Sequence, residues 1–415
     1  MPARHGDFRT VGHPPSLAAS LIHFDVSFMV WVLIGALGAY IASDLGLSPL
    51  QKGLLVAVPP LGGSAFRILL GTVADRAGLK RTGLLSMGLT AVPLVWGWQA
   101  GGSLPQLLVI GLLLGIAGAS FVVALPLVSR WYPPERQGLA MGVAAAGNSG
   151  TVIANLVAPR LANIVGWHNV LVLAMLPLAV VLVAFVLLAK DSPDRSSGQP
   201  IGRYLSALKH GDLWLFCLFY SVTFGGYVGL SSFLPLFFRD QYHVTPVTAG
   251  YLTALAAFVG SGLRPVGGYL ADRLGGVRLL SVLLIGIGAV YAIGATLPGL
   301  AAMEGLLLVG MACLGMGNGA VFQLVPQRFR REIGIATGVV GALGGLGGFF
   351  LPNLLGGVKG ATGSFAGGFL VLAGVAFGAL VLLRLLAVAR HEWRHSWALP
   401  KAPAEAERVS VRSAD

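Results

Sequence analysis

Two arginines stand in stretches of the chain that are otherwise almost free of charge. Arg67 lies in LGGSAFRILLGTVAD (61–75) and Arg264 in VGSGLRPVGGYLAD (259–272). Each comes eight residues before an aspartate, and the two arginines are 197 positions apart. A guanidinium at the centre of an apolar helix costs about 2.5–3.5 kcal/mol on insertion scales, so the pair forfeits roughly 5–7 kcal/mol unless compensated. The 16 acidic residues do not supply the compensation. Asp44, Asp240 and Glu304 fall at one set of segment ends and Asp25 about one turn inside the first segment; the others fall at the opposite ends or in polar stretches. None is central. The two guanidiniums are therefore expected to face each other without a protein carboxylate, the negative charge coming from a solute. Their planar forks suit bidentate contact with a planar oxyanion. At an effective dielectric near 20, two cations about 6 Å apart repel by roughly 2.8 kcal/mol, which a bound monoanion offsets. An empty site then resists closure, which favours exchange of anions over net uniport.

The elements that must position these side chains are membrane-spanning helices. The 415 residues are 55% hydrophobic and 11% charged, with 60 glycines and a mean hydropathy of +0.80. A soluble domain carries about 25% charged residues. Twelve apolar segments are expected to cross a bilayer: 20–42, 50–73, 82–100, 105–129, 138–161, 167–189, 212–238, 247–271, 277–297, 302–325, 333–356 and 364–388. This excludes a soluble enzyme, a fibrous chain and a disulfide scaffold. The net charge of +12 marks loops on one membrane face rather than a nucleic-acid partner. With the N-terminus inside, 22 of the 28 Lys and Arg fall in cytoplasmic tails and loops, so both termini are expected there. Residues 1–19 form a polar N-terminal tail without a cleavable apolar core. The polar stretch 190–211 reads as a cytoplasmic linker between six spans (20–189) and six (212–388), and 389–415 as a polar cytoplasmic tail. Cys217 and Cys313 lie in apolar spans, and no Cys, His and carboxylate cluster has ligand spacing, so neither a metal nor a cofactor is expected.

The two halves repeat. GTVADRAGLKR (71–81) follows the second span and GYLADRLGGVR (268–278) the eighth; Asp75 and Asp272 share the offset of 197, as do GNSG (147–150) and GGLG (344–347). The reading is a duplicated six-helix unit, its copies related by an axis along the membrane normal, with the site between them. Asp75, Arg76, Asp272 and Arg273 are expected to form structural or gating ion pairs near helix ends. Gly147, Gly150, Gly344 and Gly347 belong to glycine-rich spans, GVAAAGNSGTVIANLVAP and GVVGALGGLGGFFLP, where small residues permit close backbone contact. Asn148, an amide in an apolar helix, needs a partner, and the solute can be one. Tyr220 and Phe224 are i and i+4 on one helical face. Asp25 is the candidate for proton coupling, with His23 beside it expected at the interface.

The paired G-x-x-x-D-R-x-G loops resemble those of the major facilitator superfamily. The G-N-x-G run of span five, the G-G-x-G-G-F-F-x-P run of span eleven and the R-x7-D-R pattern together resemble the NarK-type nitrate/nitrite porters. The resemblance implies that Arg67 and Arg264 clamp the anion, that Asn148 hydrogen-bonds it, and that Phe121 of G-A-S-F, with Tyr220 and Phe224, encloses it. It implies an inner-membrane secondary transporter of nitrate or nitrite, working as a monomer in the bilayer, with exchange favoured over proton symport. The alternatives are a nitrate/proton symporter, a porter for formate, bicarbonate or phosphate, and a non-transporting anion sensor. An enzyme is not expected, for want of a nucleophile–base arrangement.

Overall fold

The computed structural model describes residues 12–132, 140, 143–191, 208–329 and 333–394. The described residues are almost entirely helical and contain no strand. All twelve expected segments hold helix: α1 (Pro14–Asp44), α2 (Pro49–Ala77), α3 (Leu79–Ala100), α4 (Leu104–Ser129), α5 (Gly150–Val165), α6 (Trp167–Leu188), α7 (Gly211–Tyr242), α8 (Pro246–Leu274), α9 (Gly276–Gly294), α10 (Leu300–Arg328), α11 (Ala336–Thr362) and α12 (Ala366–Ala389). A short α13 (His391–Arg394) follows. Among the described residues ten of these are long and apolar enough to cross a membrane. The other two are α3, whose composition is less apolar, and α5, whose described helix is only 16 residues long. Most of the expected 190–211 linker and of the 389–415 tail lies outside the described residues.

The duplication is written into the backbone. Three pairs of residues with positive φ are each 197 positions apart: Gly46 and His243, Gly78 and Gly275, Gly166 and Gly363. Gly78 (φ 93°) is the single residue joining α2 to α3, and Gly275 (φ 88°) the single residue joining α8 to α9. The final glycine of each G-x-x-x-D-R-x-G loop is thus required by a left-handed one-residue turn. The helices entering these turns match as well. α2 and α8 both run 29 residues, both carry proline at the first helical position, and are N-capped by Ser48 and Thr245, whose hydroxyls accept from the amides of Gln51 and Thr248.

Helices α4 and α7 are the most buried, while α6 and α12 have only 33% and 28% of their apolar windows covered. Val180 and Leu187 on α6, and Val381 and Leu385 on α12, face outward as lipid-contacting side chains would. The halves meet closely along α2 and α11, where Gly53 lies against the backbone of Pro352 and Gly356, and Gly356 against Pro49. Gly250 of α8 likewise packs on the Asn155 carbonyl of α5, and Gly35 of α1 on Ser232 of α7. At that end Lys52 pairs with Asp240 at 2.7 Å across the halves.

Three expectations about local structure are corrected. The helix of the first segment begins at Pro14, six residues before the expected 20, with His13 capping it, so Asp25 stands eleven residues into the helix. His23 is fully buried, against Phe185, rather than interfacial. The run Ala146–Ser149 is a 3-10 turn rather than α-helix, and α5 starts only at Gly150.

Candidate functional site

Arg67 on α2 and Arg264 on α8 are both buried, at 2% and 8% exposure. Neither faces lipid and neither has an ion pair among the described residues. Arg67 donates from Nε to the Gly118 carbonyl at 3.2 Å and from Nη1 to the Gly341 carbonyl, so it ties α2 to α4 of its own half and to α11 of the other. Arg264 reaches the Tyr220 hydroxyl through Nη2 at 3.5 Å. Arg67 Nη2 and Arg264 Nη1 are buried and have no partner among the described residues.

Aromatic faces take part of the load that carboxylates would otherwise carry. The Arg67 guanidinium carbon lies 5.5 Å from the ring centres of Trp31 and Phe121 and 5.1 Å from that of Phe224; Arg264 lies 5.8 Å from Phe322. Such contacts contribute about 0.5–2 kcal/mol each, but they leave the charge in place. Tyr220 and Phe224 stack in parallel, with centroids 4.9 Å apart and planes at 2°, and Phe322 meets Tyr220 edge-on at 4.8 Å. Phe121 meets Phe322 at 5.8 Å, so rings from both halves close one side of the arginine pair. A π-helical turn at Ser221–Gly225 inside α7 sets the spacing of this face.

Asn148 is 1% exposed, and its Oδ1 has no partner among the described residues. Its carbonyl accepts from Thr151 Oγ1 at 2.8 Å, and Thr151 in turn shares a 2.8 Å hydrogen bond with Tyr227 Oη. Tyr227 Oη is 2.6 Å from Ser261 Oγ, so this chain of hydroxyls links α5 in one half to α7 and α8 in the other. The structure therefore brings Arg67, Arg264, Tyr220, Phe121 and Phe224 into one connected group, while Asn148 belongs to the hydroxyl chain, its carbonyl 3.5 Å from Ser261 Oγ on the helix of Arg264.

The glycines of the two matched runs pack within their own halves. A methyl group on Gly147 would meet Phe24 Cβ at 2.8 Å, and one on Gly150 would overlap the Asp25 carbonyl. Gly344 is pressed against the Tyr220 ring and Gly347 against the Ser221 carbonyl of α7, the equivalent contact in the other half. Asp25 is half-buried and accepts from Ser149 Oγ at 2.6 Å. Arg76, Asp272 and Arg273 are exposed, Asp75 is half-buried, and Arg273 lies over the Tyr269 ring at 4.4 Å. Lys52 and Asp240 form an ion pair across the halves at the opposite end of the molecule.

Trp31 and Phe322, which cover the arginines, and Tyr227, in the hydroxyl chain, were not singled out from sequence. Trp31 had a usable signal: tryptophan favours membrane interfaces, so one deep in a span is out of place. Its Nε1 donates to the Pro59 carbonyl at 2.7 Å, and its ring fills the space over Gly63 and Gly118. Tyr227 follows Phe224 by three residues, close enough to share its helical face.

Two duplicated helical halves enclosing a buried cationic centre, with no carboxylate paired to either arginine among the described residues, define a membrane carrier. Residues 19–352 match the family model described as Major Facilitator Superfamily. The chain is 37% identical to a nitrite extrusion protein of Bacillus subtilis (strain 168), over 86% of this chain and 90% of that one. It is 34% identical to a probable nitrate/nitrite antiporter, NarK1, of Thermus thermophilus, over 83% and 85% of the two chains. The chain thus belongs to the Major Facilitator Superfamily, in its NarK-type branch. A solved bacterial homolog of the human lysosomal transporter Spinster, in an inward-facing and occupied conformation, shares the fold with a TM-score of 0.67 at 20% identity, over 93% of this chain and 98% of that one.

Proposed function

We propose that this protein carries nitrate and nitrite across the cytoplasmic membrane by alternating access, with exchange of one anion for the other as its working mode. The observation that carries the reading is the pair of buried guanidiniums, each with an unpartnered N–H group and neither with a carboxylate neighbour among the described residues. Carbonyls and rings hold Arg67 in place without neutralising it, and a planar monoanion between the forks does both. Asn148 and Tyr220 orient the anion, and Phe121 and Phe224 screen it from water. Names of relatives that transport nitrate or nitrite agree with this cargo. The protein works as a monomer, with both termini on the cytoplasmic face.

Mutual repulsion of the empty arginines disfavours closure without cargo, so return of the unloaded carrier is slow. The Asp25 carboxylate, hydrogen-bonded to Ser149 where the GNSG turn crosses α1, is the group through which proton coupling would act instead. The test is nitrate uptake into proteoliposomes. Uptake that requires nitrite inside the vesicles, and that survives Asp25→Asn, is the expected result. Uptake into empty vesicles driven by an inward proton gradient and lost in Asp25→Asn would replace exchange by symport. No uptake of either anion under any gradient would overturn the reading.

A further inference from the structure

Asn318 is 1% exposed on α10, and its Oδ1 has no hydrogen-bond partner among the described residues. A buried amide left unmatched costs about 1–3 kcal/mol, and an amide turns half a revolution to present either its Nδ2 or its Oδ1. Its neighbours fix where it sits. Gly319 lies against the backbone of Arg264 and Gly268 on α8, and a methyl group on Gly317 would meet Thr223 Cγ2 of α7 at 2.6 Å. Asn318 is therefore held between the helix of Arg264 and the π-helical turn that follows Tyr220. One turn further on, at i+4 and so on the same face, Phe322 covers the Arg264 guanidinium and meets Tyr220. The face of α10 that carries Asn318 is thus the face that borders the arginine pair. Neither Gly317 nor Gly319 has a side chain to stand between the amide and its surroundings.

We propose that Asn318 is a further anion-binding residue, contributed by the second half, whose amide N–H group donates to an oxygen of the bound anion. This rests on the nitrate/nitrite reading above. The two guanidinium forks and Asn148 serve two oxygens of the anion between them, and Asn318 serves a third. Nitrate has three oxygens and nitrite two, so Asn318 bears more strongly on nitrate and raises the preference for it.

The experiment measures nitrate and nitrite Kd by calorimetry on the purified full chain in detergent, together with the unfolding temperature. Asn318→Leu, of similar volume, is expected to weaken nitrate binding at least about tenfold, the loss of one hydrogen bond to a charged group. Nitrite binding weakens less, so the preference ratio falls. Asn318→Asp places a carboxylate near Arg264 and is expected to abolish binding of both anions while raising the unfolding temperature, because the internal charge replaces the cargo. A merely structural amide would not separate binding from stability in this way. Asn318→Ser, which keeps a small donor, serves where the leucine variant does not fold. Unchanged Kd values and an unchanged ratio in folded Leu or Ser variants would overturn the proposal while the cargo assignment stands. Wild-type protein that binds neither anion would overturn both.

Discussion

At the scale of single residues, the fork of Arg67 reaches two carbonyls on helices of different halves, a task that lysine's single ammonium group cannot perform. Arg67→Lys and Arg264→Lys are each expected to lower initial nitrate uptake in proteoliposomes at least about 100-fold, since each loses the bidentate contact of its fork with the anion, two charge-assisted hydrogen bonds at about 1.5–3 kcal/mol each. Uptake within a few-fold of wild type in either variant would remove the clamp. The arginines were legible in the sequence because a charge in an apolar span stands out against its surroundings. Their cover was much less so. An aromatic residue in a span of this composition packs equally well against lipid, a neighbouring helix or a guanidinium, and Phe322 gave no local sign of which. Nor did the sequence reveal that rings and carbonyls would share the accommodation of Arg67, because the partners Gly118 and Gly341 act through their main chains.

At the scale of elements, the turns carry the sharpest requirements. Gly78→Ala and Gly275→Ala each force a β-carbon into a left-handed conformation and are expected to lower stability by about 1–2 kcal/mol in thermal unfolding of the purified protein. Gly305→Ala in α10, where an added methyl group meets nothing within 4 Å, is expected to be neutral or stabilising by up to about 1 kcal/mol. Equal effects at Gly78 and Gly305 would show that the turn geometry has no special demand. The loop motif was visible as a repeated string of letters, and its last glycine as a one-residue connection only in the structure. Each segment that hydropathy marked holds helix, yet hydropathy could not see that α1 starts six residues early or that GNSG winds as a 3-10 turn, because summed apolarity does not depend on how the backbone winds.

At the scale of the whole molecule, the common offset of 197 residues foretold the duplication, and the matched left-handed residues carry it into the backbone. The pairing of Lys52 with Asp240 across the halves was not legible, because the motif aspartates drew attention to the other end. Lys52 and Asp240 are about one-fifth exposed, so their pair contributes about 0.2–1 kcal/mol. Lys52→Ala is expected to shift the balance toward the state open at that end by up to about fivefold, read from spin-label distances across the two halves. The exchanged variant, Lys52→Asp with Asp240→Lys, should return it; no shift in the single variant would make the pair incidental. The π-helical turn of α7 has a different reach. Loss of one codon between Ser221 and Gly225 would leave a shorter and more regular helix, yet everything beyond it would swivel by about 100°. Tyr227 would leave Thr151, and Asp240 would leave Lys52 some fifteen or more residues downstream, so the mildest change to the gene at this point would unfasten contacts along the full height of the protein.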